Sequence, residues 1–198
     1  MHTESAIDAA TGLHARARQV PSPNVDERPG RVAPDLIVVH GISLPPGEFG
    51  GSWIDHLFTN TLPRAAHPYF AEVADLKVSS HLVIRRAGEI VQYAPFHLRA
   101  WHAGRSSFQG RERCNDFSIG IELEGTDGDA YEPAQYRVLS ETILALCDAY
   151  PSLSTERVVG HSDIAPGRKS DPGPAFDWPR LRALLRAMSG QRTADSGQ

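Results

Sequence analysis

Apolar residues in this chain gather in short runs whose length and spacing predict β-strands. Asp35 to His40 is a β-branched run that predicts a central buried strand ending in a histidine. Residues 79–93 predict a hairpin, with Ala87-Gly88 at the turn. Residues 156–160 predict one more short strand, which leads directly into a loop.

The stretch from Ser118 to Glu124 alternates strictly between apolar residues and polar or small ones. Successive side chains of a strand point to opposite faces, so this stretch predicts a strand with two chemically different faces. One face carries Ile119, Ile121 and Leu123, and the other carries Gly120, Glu122 and Glu124.

Three stretches have the periodicity of a helix. Residues 133–150 repeat apolar side chains at helical spacing and start with a proline, which suits a first turn. Residues 53–60 predict a short helix, and residues 179–188 predict a last helix that Gly190 would end. Strands and helices therefore interleave, which predicts a single α/β (α+β) domain with a central mixed β-sheet flanked by helices.

The two ends of the chain are polar. Residues 1–33 contain scattered arginines and prolines and predict a weakly structured segment on the domain surface. We expect a flexible lead-in over residues 1–17, the folded domain over residues 18–189, and a frayed tail over residues 190–198.

Composition narrows the class of protein. The chain has 198 residues, 40% of them hydrophobic, and a net charge of −4, which suits one globular domain. It has no basic aromatic strip for nucleic acid and no run near the ~18 apolar residues of a membrane span. Two cysteines, Cys114 and Cys147, predict reduced thiols rather than a disulfide framework. The N-terminus lacks a secretory pattern, so we expect a cytoplasmic protein, and we expect a monomer.

Candidate chemistry is concentrated in residues 160–174. This segment holds His161, Lys169 and Asp171 among several prolines and glycines, which predict a stiff loop rather than a helix or strand. His40 also ends a predicted central strand, and strand ends can converge at one edge of a sheet. Two imidazoles and one carboxylate would suit a catalytic zinc ion.

Other interpretations stay open at this point. A histidine at a strand end is more often structural, and Asp171 could simply open a turn before Pro172. His81 and His102 are rival ligands, since both lie near predicted strand or loop edges.

Hydrolysis at zinc also requires a group that handles the proton of water. Glu122 is the candidate general base, provided that its face of the strand opens on a cleft. Glu124 is the competitor, although its place nearer the strand end predicts a solvated carboxylate. Lys169 could stabilise an oxyanion, or it could be an ordinary exposed lysine.

Several long motifs resemble the bacterial AmpD-type amidases, within the zinc N-acetylmuramoyl-L-alanine amidases related to peptidoglycan recognition proteins. The resemblance runs from about Arg18 to Leu185. Its motifs are ISLPPGEFGG at 42–51, GEIVQY at 88–93, AWHAG at 100–104, GRERCNDFSIGIELEGT at 110–126, and the loop at 160–174 with Phe176-Asp177-Trp178. The resemblance implies one zinc ion per chain, bound by His40, His161 and Asp171, with Glu122 and Lys169 as catalytic groups.

The implied reaction is hydrolysis of the amide between the lactyl group of anhydro-N-acetylmuramic acid and L-alanine of the stem peptide. Its implied setting is the recycling of soluble muropeptides in the cytoplasm, where such activity also lowers the signal that induces β-lactamase. The alternatives are an amidase that acts on intact peptidoglycan outside the cytoplasm, and a non-catalytic module that binds muropeptides.

The resemblance also implies substrate contacts at Trp101, Arg113, Lys77, Gly41 and Ala165. Two of these positions depart from the family. Lys77 stands where an arginine is frequent, and lysine cannot form a bidentate fork with a carboxylate. Gly41 stands where asparagine is usual, which removes a side-chain amide from the floor of the cleft.

Overall fold

The computed structural model describes residues 6–195, and their side chains as far as Gln191. Twelve strands and five α-helices lie in this range, together with 3-10 turns at Pro29–Arg31 and Cys114–Asp116. The strands are β1 (Ile7–Asp8), β2 (Leu13–His14), β3 (Arg18–Gln19), β4 (Val25–Glu27), β5 (Leu36–Ile42), β6 (Leu82–Ile84), β7 (Ile90–Gln92), β8 (Leu98–Ala100), β9 (Ser107–Phe108), β10 (Arg111–Glu112), β11 (Ser118–Glu124) and β12 (Val158–Gly160). The helices are α1 (Trp53–Phe58), α2 (Phe70–Val73), α3 (Pro133–Ala149), α4 (His161–Ile164) and α5 (Trp178–Asp195).

A six-stranded sheet in the order β12-β5-β11-β6-β7-β3 carries the fold. Strands β12, β5, β11 and β6 are parallel, whereas β6 and β7 form the predicted antiparallel hairpin. The predicted mixed sheet is therefore confirmed. β5 and β11 are paired along their whole length, which sets His40 directly beside Glu122.

Both faces of the central strands are covered. One face packs against α3 and α5 through a large apolar cluster that includes Ile119, Ile121 and Leu123. The opposite face contacts two smaller clusters, one around α1 and one around Phe117. All seven residues of β11 are consequently buried, which is usual for a parallel strand at the centre of a sheet.

The helices largely follow their predicted periodicity. α3 starts at Pro133, where Glu132 and Gln135 form a capping box that satisfies free backbone N–H groups. α5 starts as predicted but continues to Asp195, so the prediction that Gly190 ends it was wrong. Glycine costs a helix only ~1 kcal/mol relative to alanine, and Gly190 does not take the left-handed conformation that would stop it. The predicted tail is thus helical through residue 195, and residues 196–198 lie outside the described range.

The N-terminal segment also differs from its prediction. β1 and β2 pair with each other and bury Ile7 in the main core, while β3 adds the last strand to the sheet. Residues 6–17 are therefore part of the domain rather than a flexible lead-in, and residues 1–5 lie outside the described range.

Buried polar side chains explain why the sequence of residues 1–33 predicted a weakly structured segment. Ser22, Asn24 and Arg28 are buried and donate hydrogen bonds to distant carbonyls. Ser22 Oγ lies 2.5 Å from the oxygen of Phe58, and Asn24 Nδ2 lies 2.8 Å from that of Val78. These polar side chains form hydrogen bonds with backbone carbonyls of other elements instead of facing solvent.

Neither Cys114 nor Cys147 forms a disulfide, as predicted. Among the described helices, none is long and apolar enough to cross a membrane.

Glu124 is buried rather than solvated, which corrects its prediction. It is 2% exposed, and its Oε1 accepts hydrogen bonds from Arg85 Nη1 at 2.9 Å and from the backbone N of Gly50 at 2.7 Å. The partner Arg85 follows β6 and is itself buried. The Glu124 carboxylate thus ties the backbone at Gly50 to the sheet.

We expect Glu124→Ala to destabilise the protein by about 3 kcal/mol, because it leaves the buried Arg85 without its main partner. Asp75→Ala breaks a solvent-exposed ion pair with Arg64 and should cost less than ~1 kcal/mol. Urea unfolding of both variants measures the difference. Equal losses would show that the buried pair contributes no more than a surface one.

Candidate functional site

The candidate site lies at one edge of the sheet, near the carboxyl ends of β12, β5 and β11. His40 is on β5, Glu122 is beside it on β11, and His161 comes directly after β12. Clefts at this edge are common ligand sites in α/β folds. The cleft here measures about 570 Å³. Its polar lining includes Ser43, Ser79, His102, Thr126, Asp127, Lys169 and Asp171 in addition to the residues just named.

The predicted loop at 160–174 begins with one turn of helix, α4, which contradicts the prediction that this segment avoids helix. Asp163 caps the turn by accepting a hydrogen bond from the N–H of Gly160 at 2.7 Å. Pro166 and Gly167 follow the turn and so do not oppose it. The rest of the loop returns to the site, where the N–H of Ser162 donates to the carbonyl of Asp171 at 3.0 Å.

Three side-chain atoms converge at the base of the cleft. Nδ1 of His40 lies 3.0 Å from Nδ1 of His161 and 3.1 Å from Oδ2 of Asp171. The remaining pair, His161 Nδ1 and Asp171 Oδ2, is 3.0 Å apart. A tetrahedral zinc ion with bonds of ~2.0–2.1 Å places its ligand atoms roughly 3.3 Å apart, so the spacing fits a small cation. These residues form a group that could hold a metal ion.

Hydrogen-bond accounting supports a cation in this triangle. Nε2 of His161 lies 3.2 Å from the carbonyl of Ala103, which can only accept, so Nε2 carries the proton. Nη2 of Arg168 is 3.4 Å from the same nitrogen, but its two protons go to the carbonyls of Ala103 and Arg105, at 2.6 Å and 2.7 Å. With this one proton on Nε2, His161 directs the lone pair of Nδ1 towards the Asp171 carboxylate. Burial lowers the pKa of His40 to about 4, so this ring is neutral at neutral pH. Two acceptor atoms 3.0 Å apart, such as His161 Nδ1 and Asp171 Oδ2, repel each other unless a cation binds between them.

Glu122 lies next to the triangle and is 9% exposed. Its Oε2 is buried and has no hydrogen-bond partner within the described part of the chain. Burial, reinforced by the charge of Asp171, raises the pKa of Glu122 well above its usual 4.5, and Lys169 opposes that shift. A buried, unpaired carboxyl that lines a cleft is poised for proton transfer.

Lys169 is exposed on the loop between His161 and Asp171, and it lines the same cleft. Its positive charge lies close enough to lower the pKa of both Glu122 and His40. The structure thus brings together all five residues that the sequence predicted as metal-binding or catalytic.

The two rival histidines lie outside the triangle. His81 is buried, and its Nδ1 accepts from the N–H of Gly120 at 3.0 Å while its Nε2 faces the carbonyl of Leu98 at 3.0 Å. His102 contacts the far side of the His40 ring, with His102 Nδ1 2.9 Å from His40 Nε2.

Sequence reasoning missed Tyr131. Its hydroxyl donates to the carbonyl of Pro172 at 2.9 Å and so supports the loop directly after Asp171. A Cβ added at Gly41 would overlap this hydroxyl, and one added at Gly125 would overlap the ring. Gly41 therefore makes room for Tyr131, in addition to lacking a side-chain amide at the cleft. The only sign of the Tyr131 position in the sequence is the pair of glycines, Gly41 and Gly125, near the ends of adjacent strands.

The predicted substrate-contact residues are spread over a wider surface. Arg113 and Ala165 line a second cleft of about 390 Å³, together with Arg105 and Arg168. Gly41 lines the main cleft. The other two lie outside both linings within the described chain: Lys77 is exposed, and the half-buried Trp101 donates its indole N–H to Asp26 at 3.2 Å.

Comparisons with known proteins agree on one family. The family model described as N-acetylmuramoyl-L-alanine amidase matches residues 30–174. The 1,6-anhydro-N-acetylmuramyl-L-alanine amidase AmpD of Salmonella typhimurium (strain SL1344) is 62% identical over 178 residues, which cover 90% of this chain and 95% of that protein.

Solved structures show the same relationship. The crystal structure of a selenomethionine AmpD derivative has a TM-score of 0.87 at 62% identity, covering 90% of this chain and 98% of its own. The Escherichia coli amidase AmiD, solved in complex with anhydro-N-acetylmuramic acid-L-Ala-D-γ-Glu-L-Lys, has a TM-score of 0.56 at 30% identity. That match covers 86% of this chain and 61% of AmiD.

Glu122 should lower the stability of the metal-free fold at neutral pH. Because its folded-state pKa is raised, folding takes up protons, so stability falls as pH rises from about 4.5 towards the folded pKa. In the presence of a chelator, we expect Glu122→Gln to be more stable than the native protein at pH 8, by at least ~1 kcal/mol, with a smaller gain at pH 5. Urea unfolding at both pH values tests this, with the exposed Glu48→Gln as control. A gain that did not grow with pH would contradict it.

Proposed function

This chain belongs to the N-acetylmuramoyl-L-alanine amidase family, and from that premise we propose a zinc-dependent muropeptide amidase. It hydrolyses the amide between the lactyl group of anhydro-N-acetylmuramic acid and L-alanine of the stem peptide, in cell-wall recycling. The observation that carries the proposal is the triangle of His40, His161 and Asp171 with an unpaired Glu122 beside it. The high identity to AmpD supports the anhydro-muropeptide as substrate.

We propose that His40, His161 and Asp171 hold one zinc ion. Two imidazole nitrogens and a carboxylate oxygen form a common donor set of catalytic zinc sites, which keep a fourth position open. The absence of a thiolate from this set also favours zinc over softer metals. When bound, the ion supplies Lewis acidity to the scissile carbonyl and to the attacking water.

Glu122 acts as the general base and then as the general acid. Its free Oε2 can accept a proton from water and return it to the amine of the departing L-alanine. Burial raises the pKa of Glu122 above that of an exposed carboxyl, which makes its carboxylate a stronger base towards the proton of water. Lys169 provides a positive charge at the mouth of the cleft for the negative charge that develops on the attacked carbonyl oxygen.

We propose that the second cleft receives the stem peptide. Its three arginines, Arg105, Arg113 and Arg168, outnumber its one carboxylate, Glu112, and give it a net positive charge that suits peptide carboxylates. We propose that the substrate is a soluble fragment, and that the protein acts on it in the cytoplasm as a monomer. The intact donor set and Glu122 argue against a module that only binds muropeptides.

The function is tested by incubating the zinc-loaded protein with anhydro-muropeptide and with intact sacculi, each with and without a chelator. We expect peptide release from the small fragment alone, and loss of that release when the metal is removed. Release from sacculi but not from the fragment would favour the amidase of intact peptidoglycan. Binding of the fragment without release would favour the binding module.

Variants should separate metal binding from proton transfer. Asp171→Ala removes one ligand, so we expect it to lose both zinc and activity. Glu122→Gln keeps the triangle, so we expect it to retain zinc and to lose at least ~100-fold in kcat. Zinc content by mass spectrometry and initial rates measure the two effects. A zinc-loaded, fully active Asp171→Ala protein would contradict the ligand assignment.

A further inference from the structure

A chain of buried side chains leads away from the proposed metal site on the far side of His40. Nε2 of His40 lies 2.9 Å from Nδ1 of His102, and Nε2 of His102 lies 3.1 Å from Oγ of Ser118. The Ser118 hydroxyl lies 2.6 Å from the backbone carbonyl of Cys114. Each of these groups is largely buried, which strengthens their hydrogen bonds relative to exposed ones.

The direction of every proton in this chain follows from its last member. The carbonyl of Cys114 can only accept, so the single hydroxyl proton of Ser118 is donated to it. Ser118 Oγ must then accept from His102, which places the proton of a neutral His102 on Nε2. Nδ1 of His102 is left as an acceptor, and His40 donates to it through Nε2–H.

We propose that His102 is a positioning residue that fixes the tautomer of His40, so that Nδ1 of His40 presents a lone pair to the metal. The inference rests on the proposed zinc site and adds a residue to it. The tautomer of His161 is fixed in the same way by the backbone carbonyl of Ala103, which accepts a hydrogen bond from Nε2 of His161. Adjacent residues of one segment therefore orient both imidazoles of the site.

The surrounding backbone is built to hold His102 in this place. A Cβ added at Gly120 would overlap the imidazole of His102, so this glycine of β11 leaves the space that the ring occupies. Oδ1 of Asn115 accepts hydrogen bonds from the backbone N–H groups of His102 and Ala103, at 3.2 Å and 2.8 Å. The ring and its backbone are thus both constrained.

Two substitutions at position 102 distinguish a role of His102 as a hydrogen-bond acceptor from a role in packing alone. His102→Asn can place its amide oxygen where Nδ1 lies, whereas His102→Leu has a similar size and no acceptor. Zinc affinity is measured by competition between the full-length protein and a chelating dye. Loss of a hydrogen-bond partner of a metal-bound histidine typically costs 10–100-fold in metal affinity. We expect such a loss for His102→Leu and less than ~3-fold for His102→Asn.

A purely packing role predicts the opposite order, because leucine fills a buried space better than an amide does. Equal zinc affinity in the two variants, or tighter binding by His102→Leu, would overturn the proposal. His56→Leu removes a half-buried histidine of α1 and controls for the loss of an imidazole in itself. A native protein that fails to bind zinc would instead reject the proposed function.

Ser118→Ala provides a second test if the position 102 variants do not fold. Without the acceptor, His102 is free to carry its proton on Nδ1 and to force the proton of His40 onto the metal-facing nitrogen. We expect weaker zinc binding by Ser118→Ala, of about 3-fold or more, as a fraction of the full loss of the partner. Nitrogen-15 NMR of the zinc-loaded native protein should show His40 protonated at Nε2. Protonation of His40 at Nδ1, or unchanged zinc affinity in Ser118→Ala, would reject the proposed control.

Discussion

The pairing of β5 with β11 is the constraint on which the site depends. Their parallel ladder runs from Leu36 beside Ser118 to Ile42 beside Glu124, and it places His40 next to Glu122. A slip of one residue would send either side chain to the opposite face of the sheet. The apolar residues that alternate with the functional ones prevent such a slip, because they are packed against α3 and α5 on the other face. Core packing thus sets the distance between the proposed ligand and the proposed base.

The central elements could be predicted from the sequence because their signals are long and local. β11 and α3 repeat apolar residues at the spacing of a strand and of a helix, and β5 is a continuous β-branched run of strand length. The N-terminal strands are two or three residues long, so they carry no period. Their polar residues are buried against carbonyls of remote segments, and such long-range hydrogen bonds leave no local pattern. Glu124 was misjudged for the same reason, since its partner Arg85 is distant in sequence.

The site shows a similar division. Strand ends and a stiff loop indicated where His40, His161 and Asp171 would meet, and the structure brings them within hydrogen-bond distance. An imidazole can equally bind a metal or support another imidazole, so the sequence could not separate His102 from the ligands. Geometry distinguishes them, because His102 contacts His40 on the ring nitrogen opposite the triangle. The role of Gly41 was likewise hidden until the position of Tyr131 was known.

The clamp at Asn115 has a consequence for how the chain can change in length. Residues 102 and 103 are held by one amide oxygen, and they in turn contact both imidazoles of the triangle. The β9–β10 hairpin leaves this clamp and returns to it, and most of its residues at 107–112 are exposed. Insertions and deletions at the hairpin tip can therefore accumulate without disturbing the proposed metal site. Deletion of one residue between β8 and Ala103 would instead displace both His102 and the Ala103 carbonyl, which contact His40 and His161. We therefore expect homologous chains to align without gaps in this segment.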